Sequence, residues 1–304
     1  MSVKIATWNV CLGLKNKKDY VYKTIKDNNI DICLLQEVEI EPNYNSDLLS
    51  EKDYKIEIEK NNYKSRSAIV IKNNISYQRR QDIEGQDLGI VIIDLNGQDK
   101  YRIVNLYRSH NPPNNLTRLA VFNSQLNWLD TAISTLSNGK LIIAGDFNLN
   151  ETYRYQTNNN AKLLFENLNA LCENFNLIQM VNFPTWQRVV NNVLKESIID
   201  HIYVKNPFVI SNMSTKIPLV GDHKLVMFEI ASRQEPPKIY LRRNWKNYSK
   251  SKLLEALAVT NFSFETDSVQ ASWNLFENSL IDIIDTLAPL EKIEIKPFKK
   301  HPKM

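Results

Sequence analysis

The sequence contains only three cysteines, Cys11, Cys33 and Cys172, in 304 residues. An odd number of cysteines without metal-ligand spacing argues against a disulfide framework and against a cysteine-rich zinc site. The chain also lacks any apolar run close to the roughly 20 residues that span a bilayer. Its first residues lack the basic-then-apolar layout of a secretory signal. We therefore expect a soluble intracellular protein, nuclear or cytoplasmic, with free thiols and no membrane partner.

The net charge is small, +4 at pH 7, so total charge alone does not indicate a nucleic-acid partner. The distribution is more informative, because residues 236–252 contain six basic residues, no acidic residue and three interleaved aromatic residues. Basic groups neutralise phosphates and aromatic faces stack on bases, so this composition suits a segment that faces nucleic acid. A solvated linker is the alternative interpretation. The residues are Lys238, Arg242, Arg243, Lys246, Lys250 and Lys252, with Tyr240, Trp245 and Tyr248 between them.

Short β-rich runs alternate with helical patterns over about the first 230 residues, which predicts a layered α/β domain. Strands are predicted at residues 3–8, 31–37, 68–72, 89–95, 101–107, 140–146, 197–204 and 225–230. Helices are predicted at residues 116–136 and 161–175, where apolar residues recur every three or four positions.

Two adjacent prolines, Pro236 and Pro237, mark a boundary after the strand-rich region. Helical patterns resume at residues 252–259 and 268–288. We therefore predict one domain over residues 1–232, followed by a basic linker and helical tail over residues 233–304.

Polar residues end two of the predicted strands near the start of the chain. Asn9 closes the first strand, and Glu37 directly follows the apolar run of the second. A turn former and a solvated strand end are the ordinary interpretations of such residues. The functional alternative is a ligand at the carboxyl edge of a sheet, because Mg²⁺ is bound through one or two protein carboxylates and retains waters.

Asp146 and Asn148 follow an apolar run that ends at Gly145, a residue that permits close approach of a ligand or another backbone. If the extended geometry continues, both side chains point to the same side, because they are two residues apart. A carboxylate beside an amide can orient a water molecule and a phosphate oxygen together. A generic turn is the alternative.

Asp200 lies within a predicted strand, where an unpaired carboxylate is costly. His223, at the start of the last predicted strand, is the candidate partner. A carboxylate bound to one imidazole nitrogen fixes the tautomer and stabilises the imidazolium. His201 is adjacent to Asp200 and should point to the opposite face, so we predict a structural role for it.

Six ordered motifs resemble those of the endonuclease/exonuclease/phosphatase family, over residues 1 to about 232. By this resemblance the fold class is α/β, a four-layer α-β-β-α sandwich of two packed β-sheets flanked by helices, with a C-terminal helical extension. The motifs are Trp8-Asn9, Gln36-Glu37, Asn105-Leu106-Tyr107, Gly145-Asp146-Phe147-Asn148, Ile199-Asp200-His201 and Gly221-Asp222-His223.

Within that family the sequence is most similar to the apurinic/apyrimidinic-like endonuclease domains of non-LTR retrotransposon polyproteins. Residues 106–113 and 183–186 carry this similarity, and residues 243–249 and 273–289 resemble the segment that precedes a reverse transcriptase. No Tyr-x-Asp-Asp motif is present, so no polymerase activity is expected. In many relatives Tyr107 would be followed by x-Pro-Asn, whereas here Arg108-Ser109-His110-Asn111 follows, which leaves the register of Asn111 open.

The resemblance implies a Mg²⁺-dependent DNA endonuclease, with Mn²⁺ as an alternative ion, that nicks target DNA for retrotransposition. DNA is the implied partner, with a reverse transcriptase module or element RNA as further candidates. The implied catalytic residues are Asp146, His223, Tyr107, Asn148 and Asp200, and the implied metal ligands are Glu37, Asn9 and Asp222. The predicted nucleic-acid contacts are Asn111, Thr185, Trp186, Arg242, Arg243 and Lys246.

Two other functions fit the same residues. Another phosphodiesterase of this fold could act in abasic-site repair or on RNA, lipids or inositol phosphates, because the catalytic motifs are shared. A domesticated, non-catalytic DNA-binding protein is the other alternative. Whether Asp146 or His223 is the general base is also open.

Overall fold

The computed structural model describes residues 2–11, 13–42, 44–97, 99–110, 116–136, 139–155, 161–231, 239–260, 262 and 268–294. The chain divides into two compact units, Met1–Glu235 and Pro236–Met304. Within the described ranges, no helix is both long and apolar enough to cross a membrane.

The first unit contains two six-stranded sheets, here called sheet 1 and sheet 2. Sheet 1 contains, in spatial order, β13 (Ile210–Lys216), β14 (Leu225–Ala231), β1 (Ser2–Asn9), β2 (Ile32–Ile40), β4 (Ser65–Lys72) and β3 (Tyr54–Ile58). Sheet 2 contains β5 (Tyr77–Arg79), β6 (Ile90–Leu95), β7 (Tyr101–Tyr107), β8 (Lys140–Asp146), β12 (Asp200–Val204) and β9 (Ile178–Gln179). A separate antiparallel hairpin is formed by β10 (Trp186–Val190) and β11 (Val193–Ser197).

Each sheet is mixed and contains a central parallel pair, β1 with β2 and β7 with β8. Parallel neighbours require a crossover connection. Helix α1 (Lys18–Asp27) lies in the first crossover and α2 (Arg118–Ser134) in the second. Helix α3 (Lys162–Phe175) follows β8. The predicted stripe of α2 is confirmed, since Phe122 and Leu129 are buried on it.

Buried apolar side chains form three clusters that define the layers. One cluster fills the space between the sheets and includes Ile5 and Ile103. A second joins the outer face of sheet 1 to α1 and includes Leu35 and Ile25. A third joins the outer face of sheet 2 to α2 and α3. The first unit is therefore the predicted α-β-β-α sandwich.

The strand alternation on β7 shows how the inter-sheet layer changes from apolar to polar. Tyr101 and Ile103 belong to the cluster between the sheets, whereas Val104 faces the helices of sheet 2. Because side chains alternate along a strand, Asn105 and Tyr107 continue the inter-sheet face beyond Ile103. The apolar layer therefore ends in polar side chains at the carboxyl end of β7.

The neighbouring strands end in the same way. The carboxyl ends of the parallel strands and the amino end of the antiparallel β12 meet at one edge of the two sheets. The polar residues there are Thr7 and Asn9 on β1, Gln36 on β2, Asn105 and Tyr107 on β7, Asp146 on β8 and Asp200 on β12. The candidate functional groups therefore lie together at this edge of the two sheets.

Two predictions about local structure are wrong in detail. Residues 197–204 are not one strand, because β11 ends at Ser197 and β12 begins at Asp200. Asp200 therefore opens a strand and does not lie within one. The second error concerns Asn148, whose φ of 51° is left-handed, so the extended geometry does not continue past Asp146.

The second unit contains β15 (Ile239–Arg243) paired with β16 (Leu290–Glu294), together with α4 (Lys250–Val259) and α5 (Val269–Leu287). Both predicted helices of the tail are present. The Phe276 ring on α5 contacts those of Phe262 and Trp273, at centroid distances of 5.4 and 5.8 Å. The prolines of the predicted boundary lie outside the described residues.

Candidate active site

The predicted pairing of Asp200 with His223 is confirmed. His223 Nδ1 lies 3.1 and 3.0 Å from the two carboxylate oxygens of Asp200. Both side chains are buried, Asp200 at the start of β12 in sheet 2 and His223 just before β14 in sheet 1. The pair therefore bridges the sheets and directs the other imidazole nitrogen away from Asp200.

Asp146 is the second buried acid of the site and is fully enclosed. Asn9 Nδ2, at the end of β1, donates to Asp146 Oδ2 at 2.9 Å across the sheets. The Asn148 backbone N–H donates to Asp146 Oδ1 at 2.8 Å, and Asn148 Nδ2 donates to Oδ2 at 3.1 Å. These donors fix the orientation of the carboxylate.

The predicted Asp146–Asn148 contact is therefore present, but a left-handed turn produces it. Arg108 holds that turn: its backbone N–H donates to Asp146 O at 2.9 Å and its Nη2 to Asn148 O at 2.6 Å. Asn148 Nδ2 in turn donates to Arg108 O at 2.8 Å. Arg108 is buried, which a sequence pattern does not indicate for an arginine.

Glu37 on β2 and Tyr107 on β7 are also in contact across the two sheets. The Tyr107 hydroxyl donates to Glu37 Oε1 at 3.1 Å. Glu37 is half-buried and has a φ of 55°, in an irregular stretch of β2 between Gln36 and Ile40. Non-glycine residues rarely adopt this conformation, and such strain concentrates at functional sites.

Cys11 connects the loop after β1 to the segment that carries His223. Its backbone N–H donates to Asn9 Oδ1 at 2.8 Å, and its thiol donates to Asp222 Oδ1 at 3.1 Å. The Trp186 side chain also hydrogen-bonds Asp222, and the Trp186 backbone bridges to His223. Sequence reasoning assigned no role to Cys11, because a free cysteine without a spaced partner carries no local signal.

Thr185 was predicted to contact nucleic acid, but the structure places it in the interior. Its side chain is buried, and its hydroxyl accepts the backbone N–H groups of Asp200 at 3.0 Å and Ile199 at 3.2 Å. Thr185 therefore fixes the start of β12 and with it the carboxylate of Asp200.

His201 lies on the opposite face of β12, as predicted. Its ring stacks on Phe147 at a centroid distance of 5.0 Å, and its Nδ1 lies 3.0 Å from the Tyr203 hydroxyl. Burial lowers the pKa of His201 to about 3, so the ring is neutral. The structure supports a packing role for this histidine.

Burial and neighbouring charges shift the pKa values of Asp146 and His223 strongly. Burial disfavours the His223 imidazolium, but the charge and hydrogen bond of Asp200 and the charges of Asp146 and Asp222 outweigh it, raising the pKa of His223 to about 10. Burial raises the pKa of Asp146 above its ordinary range, against the opposing charge of His223. Such perturbation in a cleft is typical of catalytic acids and bases.

The Tyr107 hydroxyl and the Cys11 thiol remain protonated at neutral pH. Burial, followed by the charges of Glu37 and Asp146, raises the pKa of Tyr107 well above its ordinary range. Burial is also the main reason that the pKa of Cys11 is raised to about 12, with the charges of Asp222 and Glu37 contributing. Tyr107 is therefore a hydrogen-bond donor at neutral pH.

Two sets of side chains could hold a divalent cation. Ligand atoms of Asp146, Asp200 and His223 lie within 4.8 Å of one another. This set is buried and includes an imidazole nitrogen. Glu37 and Asp222 are half-buried carboxylates, and the charges of both raise the pKa of the Cys11 thiol. The second set is less buried and offers oxygen ligands alone, so its chemistry fits Mg²⁺ better than that of a set with a histidine.

Of the remaining predicted nucleic-acid contacts, Trp186 lies half-buried on β10 beside Asp222, and the others lie in the second unit or outside the described residues. Arg242 and Lys246 are exposed. Arg243 is half-buried and donates to Asp285 Oδ1 at 2.5 Å and to Ala288 O at 3.0 Å, so it ties β15 to the end of α5. Asn111 falls outside the described residues.

Comparisons with known proteins place this geometry in a family. The family model described as "Endonuclease/Exonuclease/phosphatase family" matches residues 6–223. No curated protein gives a significant match. Members of this family are metal-dependent nucleases and phosphodiesterases, and the Asp146, Asp200 and His223 cluster is a group that could hold a metal ion. The chain belongs to the endonuclease/exonuclease/phosphatase family.

Solved structures with the same fold are similar to this chain at low identity. The endonuclease domain of TRAS1, a telomere-specific non-LTR retrotransposon, is 15% identical, with a TM-score of 0.58 over 75% of this chain and 98% of that domain. The AP endonuclease LMAP from Leishmania major is 16% identical, with a TM-score of 0.58 over 77% of this chain and 88% of that chain. The 3′ phosphatase NExo from Neisseria, bound to a product DNA hairpin, is 19% identical, with a TM-score of 0.55 over 75% and 99%.

Proposed function

We propose that the protein is a divalent-metal-dependent endonuclease that hydrolyses phosphodiester bonds in DNA. The observation that carries this proposal is the convergence of the Glu37–Tyr107 contact and the Asp146, Asp200 and His223 cluster at one edge of two sheets. Negative charge develops on phosphoryl oxygens during such a reaction, so oriented donors and a metal-binding carboxylate match its transition state.

Glu37 and Asp222 are the side chains that would hold Mg²⁺, or Mn²⁺ as an alternative. Asn9 would assist through a water molecule or directly, although its Oδ1 already accepts the Cys11 N–H. A bound ion at this place supplies charge neutralisation for the phosphate and the leaving oxygen.

Asp146 and His223 have different roles in proton transfer. The raised pKa of His223 keeps it an imidazolium at neutral pH, so it donates to a phosphate oxygen, with Tyr107 as a second donor. Asp146, held by Asn9 and by Asn148, then accepts the proton of the attacking water. This assigns the general base to Asp146.

DNA is the substrate that the structural relatives support best. One is the endonuclease domain of a non-LTR retrotransposon, and another was solved with a product DNA hairpin. On this basis we extend the proposal to nicking of target DNA for retrotransposition, with a reverse transcriptase module or element RNA as associated partners. Trp186, beside Asp222, and the exposed Arg242 and Lys246 are proposed DNA contacts.

Conversion of supercoiled plasmid to open circles in the presence of Mg²⁺ tests the proposed activity. Glu37→Ala, Asp146→Ala and His223→Ala should each reduce the nicking rate by about 10²-fold or more, because each removes transition-state stabilisation. Glu39→Ala is the matched control, since Glu39 lies in the same irregular stretch of β2 but pairs with Lys64 at 3.2 Å. Substantial nicking by folded His223→Ala protein would contradict this mechanism.

A substrate panel separates the proposed function from its alternatives. Abasic DNA, RNA, inositol phosphates and sphingomyelin are compared with intact plasmid under the same conditions. We expect DNA to be cleaved fastest, and EDTA to abolish nicking while DNA binding persists. Hydrolysis of a lipid or inositol phosphate without DNA cleavage would reject a DNA endonuclease. Binding without any Mg²⁺-dependent cleavage would indicate a non-catalytic protein.

The salt dependence of DNA binding tests the role of the second unit. Removing one basic side chain that neutralises a phosphate should reduce the slope of log affinity against log salt by about 0.9. We expect this change for Arg242→Ala and Lys246→Ala, measured by fluorescence anisotropy. Lys23→Ala is the control, because that exposed lysine on α1 pairs with Asp27 at 3.3 Å. Equal slopes for all variants would show that Arg242 and Lys246 do not neutralise phosphates of the bound DNA.

A further inference from the structure

Two buried amides face each other across the sheets directly below the active site. Gln36, on β2 of sheet 1, and Asn105, on β7 of sheet 2, are both fully buried. Gln36 Nε2 donates to Asn105 Oδ1 at 2.7 Å. We call this pair the amide clasp.

The orientation of both amides is determined by the backbone of sheet 1. Asn105 Nδ2 donates to Leu35 O and to Ala68 O, each at 2.9 Å, on the paired strands β2 and β4. With its nitrogen held in this way, Asn105 must present its oxygen to Gln36. Gln36 must therefore present its nitrogen, which also lies 3.1 Å from Thr7 Oγ1.

This arrangement leaves one polar atom unsatisfied. Gln36 Oε1 is buried and has no hydrogen-bond partner among the described residues. A buried acceptor without a partner is destabilising, whereas two apolar side chains of similar shape would avoid this cost. Stability alone therefore does not account for amides here, and buried polar networks can specify one arrangement of the elements that they join.

The clasp lies next to the Glu37–Tyr107 contact of the active site. Gln36 directly precedes Glu37, and Asn105 lies two residues before Tyr107 on the same face of β7. Beyond the clasp, Tyr107 on β7 and Glu37 on β2 touch across the sheets at 3.1 Å. A change in sheet separation at the clasp would therefore be transmitted directly to this contact.

We propose that Gln36 and Asn105 are positioning residues, whose hydrogen bond sets the distance between Glu37 on sheet 1 and Tyr107 on sheet 2. The catalytic consequence of the clasp rests on the proposed function, but its geometric consequence does not. Displacing reacting groups by about 1 Å can reduce a rate by about 10²-fold, so a small change at the clasp should have a large effect on turnover.

The opposite end of β7 supplies a matched control. Tyr101 lies on the same face as Asn105, and its hydroxyl donates to Ala231 O on β14 at 2.8 Å. Tyr101→Phe therefore also removes a hydrogen bond between the two sheets, at the end away from the active site.

The first test compares Asn105→Leu with Tyr101→Phe in plasmid nicking by the full chain. We expect kcat to fall about 10²-fold in Asn105→Leu while KM for DNA changes less than about threefold, and both to stay near wild type in Tyr101→Phe. The double variant Gln36→Leu/Asn105→Leu should recover thermal stability but not kcat, because it pairs apolar groups without restoring alignment. Recovery of both quantities would show a purely structural role and overturn the proposal.

The second test does not depend on activity. In a crystal structure of Asn105→Leu, or of the double variant if the single one does not fold, the Tyr107 Oη to Glu37 Oε1 distance should exceed its present 3.1 Å. It should be unchanged in Tyr101→Phe. An unchanged distance in the leucine variants would also overturn the proposal. If the distance lengthens but the wild type does not nick DNA, the clasp stands and the proposed function fails.

Discussion

Asp146 shows how a carboxylate can be kept in the interior of the protein. It is fully buried, which raises its pKa, yet Asn9 and Asn148 donate to its oxygens and the charge of His223 opposes the shift. A buried charge is tolerated only when it is hydrogen-bonded or paired. The same groups that make the acid tolerable also orient it for proton transfer.

His223 gives a direct prediction at the residue scale. Its pKa is raised to about 10, mainly because the Asp200 carboxylate outweighs the effect of burial. Asp200→Asn removes that charge and leaves the ring buried, so the pKa of His223 should fall far below the wild-type value. NMR titration of the imidazole measures this shift. A wild-type imidazole that titrates near the ordinary value of 6.5 would contradict the assignment of His223 as a donor.

The same shift predicts how stability depends on pH. Because the folded-state pKa of His223 lies above its unfolded value of 6.5, the Asp200–His223 pair stabilises the protein fully below that pH. This stabilisation is lost as the pH rises through about 10. Urea unfolding of wild type and Asp200→Asn should therefore differ most at about pH 6 and least above the folded pKa.

Candidate site residues could be predicted from the sequence where a polar side chain interrupts an apolar run. The acids Asp146 and Asp200 were found in this way, and the partner of Asp200 followed from the cost of leaving it unpaired. Cys11 and Arg108 were missed, because their contacts depend on loops that approach one another only in the folded chain. A contact between residues far apart in sequence has no local signal.

At the scale of elements, the buried strands could be predicted and the exposed ones could not. Strands β7 and β8 match their predicted bounds, since both faces of each strand are buried and most of their residues are apolar. The β10–β11 hairpin was missed because it lies outside the sandwich, and its side chains, such as Val189 and Val193, are largely exposed. Its turn uses Asn191 and Asn192, both with positive φ.

Gly145 carries a prediction about how β8 reaches the site. Its φ is 145°, and an added Cβ would lie only 1.9 Å from Leu106 O on the parallel neighbour β7. Gly145→Ala should therefore lower the free energy of unfolding by about 3 kcal/mol or more. Chemical denaturation measures this change.

Gly13→Ala is the control for backbone strain alone, because Gly13 has a φ of 106° and, among the described residues, no atom apart from its chain neighbours lies within 4 Å of an added Cβ. We expect a cost of about 1–2 kcal/mol there. Equal costs at the two glycines would mean that the approach of β7 to β8 does not restrict position 145.

At the scale of the whole molecule, the site exists because two sheets end in polar residues at the same edge. Sheet 1 supplies Asn9, Glu37 and, just before β14, His223, while sheet 2 supplies Asp146 and Tyr107. Neither sheet alone carries the complete set of site residues. The family resemblance predicted this sandwich from ordered motifs, whereas the packing of one sheet on the other was not visible in any single motif.

Location of a bound Mn²⁺ ion by anomalous diffraction tests the central claim most directly. Crystals soaked in Mn²⁺ should show one peak beside the Glu37 carboxylate, with Asp222 in reach and on the side that faces Tyr107 and His223. The peak should disappear in Glu37→Ala crystals. A peak at another place, or one within the Asp146, Asp200 and His223 cluster that persists in Glu37→Ala, would contradict the account.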